Sequence, residues 1–241
     1  MRVLTVGGLK IRLAGGMDGS GSGSGKGPAV ILVHGYGAPG DDLVMLAEVL
    51  GGPSGTRWIF PEGPLPLSMG YGDSRAWWVI DMARLEADRA AGRVRDLSGE
   101  VPRGLPQACH AFETFLTALP QVLPVDYRQT VIGGFSQGAM LTCDIVMRTS
   151  FPVAGLIQLS GSLLAKQDWR PALGKRAGLR VFQSHGTQDP ILPYVMAERL
   201  RDELVKAGLS VEWQCFRGGH EIPQSVIKRL GEFLVQVLAN S

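Results

Sequence analysis

Apolar positions along the chain follow two alternating rhythms. Short continuous runs of branched and aromatic residues suit strands buried on both faces, and Ala29-Val30-Ile31-Leu32-Val33 is the clearest of them. Between such runs lie longer stretches with apolar residues every three or four positions. Asp41–Leu50, for example, carries Leu43, Leu46, Ala47 and Leu50 on one helical face. Read this way, the pattern predicts one or two short strands over Val3–Leu13, then strands at Ala29–Val33, Arg57–Phe60, Thr130–Phe135, Val153–Leu159, Leu179–Ser184 and Val211–Phe216. Helices are predicted at Asp41–Leu50, Leu105–Leu119, Gly138–Thr149, Tyr194–Ala207 and Ile222–Ala239. Strands alternating with helices imply an α/β fold with a mainly parallel central sheet and helices on both faces. Neither a repeat nor a linker divides the pattern, so residues 1–241 read as one domain.

Two stretches break the rhythm. The Gly/Ser tract Gly19–Gly25 runs into Lys26, but Gly27 follows where a phosphate-binding loop needs Ser or Thr. A flexible hairpin loop is the expectation. The second break, Pro61–Pro106, is longer than compact domains usually tolerate without a function. Its first part holds Leu65, Leu67, Met69, Tyr71, Trp77 and Trp78 and reads as pocket wall; its second, the evenly charged Asp81–Arg103, reads as a solvated excursion with a short helix over Met82–Gly92.

Charge and composition narrow the function classes. Twenty-four basic residues against 22 acidic ones leave a net charge of +2, which gives no reason to expect a nucleic-acid or anionic-membrane partner. Apolar runs of five residues fall far short of the ~18 a membrane span needs, and Met1–Leu13 lacks the continuous apolar region of a secretory signal, so the chain reads as cytoplasmic. Cys109, Cys143 and Cys215 form no CxxC pair; they read as mostly buried thiols, with no metal or other cofactor implied.

The chemistry concentrates at Gly134-Phe135-Ser136-Gln137-Gly138. This G-x-S-x-G sequence joins a predicted strand to a predicted helix, the context of a nucleophile elbow. The turn is so tight that a side chain two positions either side of the serine would clash. A serine nucleophile needs a base, and the base an orienting acid, in the chain order Ser, acid, His for this arrangement. Of four histidines, His34 and His110 precede Ser136, and His185 ends a strand with few acids before it. His220, on the loop between the last strand and the last helix, is the candidate base. Among the acids between Ser136 and His220, Asp189 stands just past a strand end; Asp168 is the other loop candidate, and His185 reads as a brace for the Asp189 loop. His34-Gly35-Tyr36-Gly37 follows the first buried strand and is placed to supply an oxyanion-hole donor, the Tyr36 N–H, beside the Gln137 N–H.

With these residues in view, the chain resembles the α/β-hydrolase superfamily, and within it the phospholipase/carboxylesterase family that includes the acyl-protein thioesterases. The resemblance rests on Leu32–Gly37, Gly133–Ala139 with its Gly-Gly doublet, His185–Pro193 and Gly219-His220-Glu221, and runs from about Pro28 to Leu238. It implies a Ser136, Asp189, His220 triad, oxyanion donors at Tyr36 and Gln137, and an acyl pocket near Ile191. With the aromatic patch at Trp77-Trp78, the candidate pocket residues are Leu65, Met69, Trp77, Trp78, Ile191 and Leu192. Two features depart from the family pattern: Ala38-Pro39 precede Asp41-Asp42 after the H-G-x-G loop, and Asp81–Arg103 is long. The implied activity is hydrolysis of a small carboxylic ester through an acyl-enzyme. A thioesterase or lysophospholipase would use the same site. A non-catalytic relative is the remote alternative, although no triad member is missing. A dienelactone-type hydrolase would usually carry cysteine at position 136, and a zinc protease would need a second histidine where Gln224 stands.

Overall fold

The computed structural model describes residues 1–18, 20–68, 73–93, 96–169 and 173–239. Its elements are β1 (Arg2–Val6), β2 (Leu9–Gly15), β3 (Ala29–Val33), α1 (Leu46–Val49), β4 (Arg57–Pro61), β5 (Leu65–Pro66), β6 (Arg75–Ala76), α2 (Met82–Ala90), α3 (Leu105–Val122), β7 (Thr130–Phe135), α4 (Gln137–Arg148), β8 (Gly155–Leu159), α5 (Lys166–Trp169), β9 (Arg180–Gly186), α6 (Tyr194–Lys206), β10 (Ser210–Phe216) and α7 (Gln224–Leu238). Eight strands form one sheet in the order β1-β2-β4-β3-β7-β8-β9-β10. From β4 to β10 every neighbouring pair is parallel, while β1 and β2 add an antiparallel ribbon at one edge.

Alternation along β3 shows why this run is apolar throughout. Ala29, Ile31 and Val33 pack on the face covered by α3, α4 and α6, with Phe112, Leu141 and Leu200 among their cluster. Val30 and Leu32 pack on the other face with Leu46 of α1 and Leu230, Phe233 and Leu234 of α7. A strand buried on both faces has no polar side. Among the described residues no helix is long and apolar enough to cross a membrane.

Two expectations need correction. Of the helix predicted over Asp41–Leu50, only Leu46–Val49 is α-helical. The preceding residues turn through short bonds such as Val44 N–H to Asp41 O (3.0 Å) and Leu46 N–H to Leu43 O (3.0 Å). The apolar face survives, since Leu43, Leu46 and Leu50 are all buried; a three-residue repeat of turns puts them inward as an α-helix would. The Gly/Ser tract does not close a hairpin, because β4 lies between β2 and β3 in the sheet. It instead folds on itself, with Gly16 bridged to Ser24 and the Asp18 carboxylate accepting from the Ser20 N–H (2.9 Å) and hydroxyl (2.7 Å).

Candidate active site

The chain leaves β3 toward β4 on one side and β7 toward β8 on the other. Loops at the carboxyl ends of such a strand pair diverge and leave a crevice between them. Val33 stands opposite Gly134 in the register, so the Gly35-Tyr36 loop and Ser136 emerge side by side into that crevice. Ser136 has φ 54° and ψ −116°, a conformation L-residues avoid, and its side chain does not cap α4. The flanking glycines make the turn possible. A Cβ on Gly138 would strike the backbone of Val33 and His34, and one on Gly134 would strike the Val33 carbonyl. Backbone cannot step aside as a side chain can, so Gly138→Ala is expected to destabilise the protein by about 3 kcal/mol. A denaturant midpoint unchanged from wild type would contradict that packing argument.

Across the crevice, the loops after β9 and β10 are tied together. Thr187 N–H donates to Phe216 O (2.8 Å) and Gln188 N–H to Gly218 O (2.9 Å). This brings His220 Nδ1 to 2.6 Å from Asp189 Oδ2. The other carboxylate oxygen, Oδ1, accepts from the N–H groups of Ile191 (2.8 Å) and Leu192 (2.9 Å). Burial alone would raise the Asp189 carboxyl, but the hydrogen bonds from His185 and His220 outweigh it and hold the group well below the usual carboxylate range. The His220 ring leans on Phe135, 4.7 Å between centroids, beside the elbow. Asp168, the other loop acid considered, lies on α5 and faces Arg148 at 3.7 Å.

The Tyr36 loop is braced from beneath by groups that sequence reasoning overlooked. His34 is buried; its Nε2 accepts from Gly63 N–H (2.9 Å), which leaves Nδ1–H to donate to Gly35 O (2.8 Å). Burial lowers its pKa and keeps the ring neutral. Arg75 exchanges backbone hydrogen bonds with Gly37 (2.9 Å) and Ala38 (3.0 Å). Its guanidinium meets the buried Glu62 carboxylate at 3.3 Å, which also holds Arg12 (2.7 Å) and Lys10 (3.2 Å). The Gln137 side chain is fully buried; its amide accepts from Trp77 N–H (2.9 Å) and donates to Trp78 O (2.8 Å), pinning the aromatic pair to the elbow. An apolar doublet beside a charged run gave no hint of these long-range contacts.

Ser136 and His220 open into one cavity of about 460 Å³, lined also by Tyr36, Trp78, Met82, Leu85, Val101, Met140, Leu164, Ile191 and Leu192. Of the pocket wall expected from the first part of the 61–106 connection, Trp78 lines the cavity, while Leu65 and Trp77 do not. Leu65 is exposed on the small β5–β6 hairpin, and Trp77 is buried below the cavity, donating from Nε1 to His34 O (3.2 Å). Met69 and Tyr71 lie outside the described residues. The charged stretch, expected to be a solvated excursion, also supplies wall: Met82, Leu85, Leu97, Val101 and Pro102 face the cavity, while Arg84 meets Glu100 at 3.5 Å near the rim. Asp42, displaced in sequence by Ala38-Pro39, also lines the cavity, and its burial raises its carboxyl pKa. Among the described residues no three His, Cys, Asp or Glu side chains group closely enough to hold a metal ion.

Comparison with known proteins places this geometry. The family model described as Phospholipase/Carboxylesterase matches residues 22–238. The chain belongs to that family. Among curated relatives, acyl-protein thioesterase 1 of Mycosarcoma maydis is 28% identical over 234 residues, 87% of this chain and 90% of its own. The acyl-protein thioesterase 1 of Debaryomyces hansenii is 25% identical over 223 residues, 87% and 91% of the two chains. Of solved structures, esterase PE8 superimposes with a TM-score of 0.74 at 26% identity, over 94% of this chain and 100% of that one. The Bacillus cereus carboxylesterase shares the fold, with a TM-score of 0.67 at 21% identity over 94% and 93%. The α/β-hydrolase fold and membership of an ester-hydrolase family stand on these matches.

Proposed function

We propose that this chain is a serine carboxylesterase acting on short- to medium-chain carboxylic esters. The observation that carries the reading is the 2.6 Å contact of Asp189 with His220, whose ring shares a single apolar cavity with Ser136. Asp189 accepts from His220 Nδ1–H and so leaves Nε2 unprotonated toward the cavity, where it takes the proton of Ser136 as the hydroxyl attacks the ester carbonyl. Negative charge gathers on the carbonyl oxygen. The Tyr36 and Gln137 N–H groups meet it there, the second reinforced by the open N-terminus of α4. The alcohol leaves with the proton from His220, and water activated by the same ring releases the acid.

Apolar walls from Trp78, Met140, Leu164 and the α2 segment support an acyl group of moderate length, in a cavity within the ~300–1,000 Å³ usual for small-molecule sites. A p-nitrophenyl ester series from acetate to palmitate tests this. Turnover is expected to rise to a medium-chain optimum and fall by palmitate. Inactivity on every ester, with turnover of an acyl-thioester panel, would move the protein to the activity named in its curated relatives. Inactivity on both would leave a binding module.

A further inference from the structure

His185 ends β9, four residues before Asp189, and its ring is buried. Nε2 lies 2.8 Å from the Leu192 carbonyl oxygen and 3.3 Å from Asp189 Oδ2. Both neighbours are acceptors, so the contact is attractive only when Nε2 carries the hydrogen. The other nitrogen, Nδ1, is buried with no protein partner. Were the proton there, an N–H would be buried unpaired while a lone pair faced two oxygens; both costs vanish in the Nε2–H tautomer. Two other titratable groups stand nearby, Tyr194, whose ring centroid is 6.3 Å away, and Cys215, the register partner of His185 on β10; Nδ1 bonds to neither.

We propose that His185 is a positioning residue for the reaction, whose shared Nε2–H holds the Asp189 carboxylate and the Leu192 carbonyl in one fixed relation. This rests on the proposed triad. Asp189 Oδ2 receives His220 from the solvent side and His185 from the core side, so the carboxylate is gripped between two imidazoles. The same ring fixes Leu192, whose side chain lines the cavity. Acid and cavity wall thereby share one buried donor, which adds to the Ile191 and Leu192 N–H groups already holding Oδ1. His185 touches no substrate and exchanges no proton in this scheme.

Two readouts test it. Long-range proton–nitrogen correlation spectra of the histidine-labelled wild-type protein, assigned with single histidine variants, should show hydrogen on His185 Nε2 and none on Nδ1. Hydrogen on Nδ1 overturns the proposal. In kinetics, His185→Leu should lower kcat about tenfold with KM within about twofold, since an acid that keeps its Oδ1 bonds but loses its core-side donor on Oδ2 positions His220 less firmly, which harms the transition state more than binding. His185→Gln, whose Nε2 stands the same number of bonds from Cα, should recover most of that loss. Equal impairment of both variants, or a loss confined to KM, sinks the idea. If His185→Leu does not fold, the tautomer decides alone. Failure of the underlying triad shows differently, as turnover surviving Asp189→Asn with the His185 tautomer unchanged.

Discussion

Ser136→Ala is expected to reduce kcat for ester hydrolysis by about 10⁵–10⁶, with the far-ultraviolet spectrum unchanged. The size follows from the division of labour in the proposed mechanism. Without the hydroxyl, neither the His220–Asp189 pair nor the two backbone donors has a nucleophile to serve. Only substrate binding and oxyanion stabilisation remain to assist water. Stability should separate this variant from its smaller sibling. Position 136 is held at φ 54°, where alanine is as strained as serine but glycine is not. Ser136→Gly should therefore be equally inactive yet more stable than Ser136→Ala by about 1 kcal/mol. Titrating both variants with urea, beside a burst assay on wild type, checks the pair of effects. Retention of more than about a hundredth of wild-type activity in either would place the nucleophile elsewhere.

Asp189→Asn should cost about 10⁴ in kcat, for a reason specific to this loop. Oδ1 already accepts two backbone N–H groups, from Ile191 and Leu192. An asparagine would leave its carbonyl there and turn its NH₂ toward His220 and His185. The NH₂ would then meet N–H donors on both rings. His220 could relieve this only by moving its own hydrogen to Nε2, which disables it as a base toward Ser136. The same carboxylate shapes acid stability. Its folded-state pKa is depressed far below the ~3.9 of an unfolded aspartate. Its stabilising contribution is therefore fully present above about pH 4 and drains away as pH falls toward the folded value. Asp189→Asn should flatten the wild-type decline in urea midpoint below that pH; an identical decline in both proteins would remove Asp189 from the account.

How far the sequence foretold all this depends on the range of the interaction. β3 is a continuous apolar run because both of its faces are covered, and that signature is local. The elbow was legible from its G-x-S-x-G spacing between a strand and a helix, although the contacts that require Gly134 and Gly138 reach Val33 and His34 at the end of the neighbouring β3. Asp189 and His220 were placed by strand-end position and chain order, and the structure brings their loops together. The cavity wall was not legible. Trp77 and Trp78 are consecutive, yet one packs against the core and the other lines the cavity, and the amide of Gln137, about 60 positions later, holds that arrangement. Nor does even charge along 81–103 reveal that Met82, Leu85 and Val101 line the cavity. Only the element a segment folds over determines which of its side chains face a cavity.

The turn from Asp189 to Leu192 divides its duties by atom. Main-chain N–H groups of Ile191 and Leu192 serve the carboxylate, and the side chains of the same two residues face the cavity. Any residue except proline supplies the N–H, so these positions can exchange side chains without disturbing the acid. Acyl preference is thus free to drift through single substitutions while the chemistry stays constant. For an engineer, positions 191 and 192 are where a library would alter what the enzyme accepts at the least risk to how it reacts.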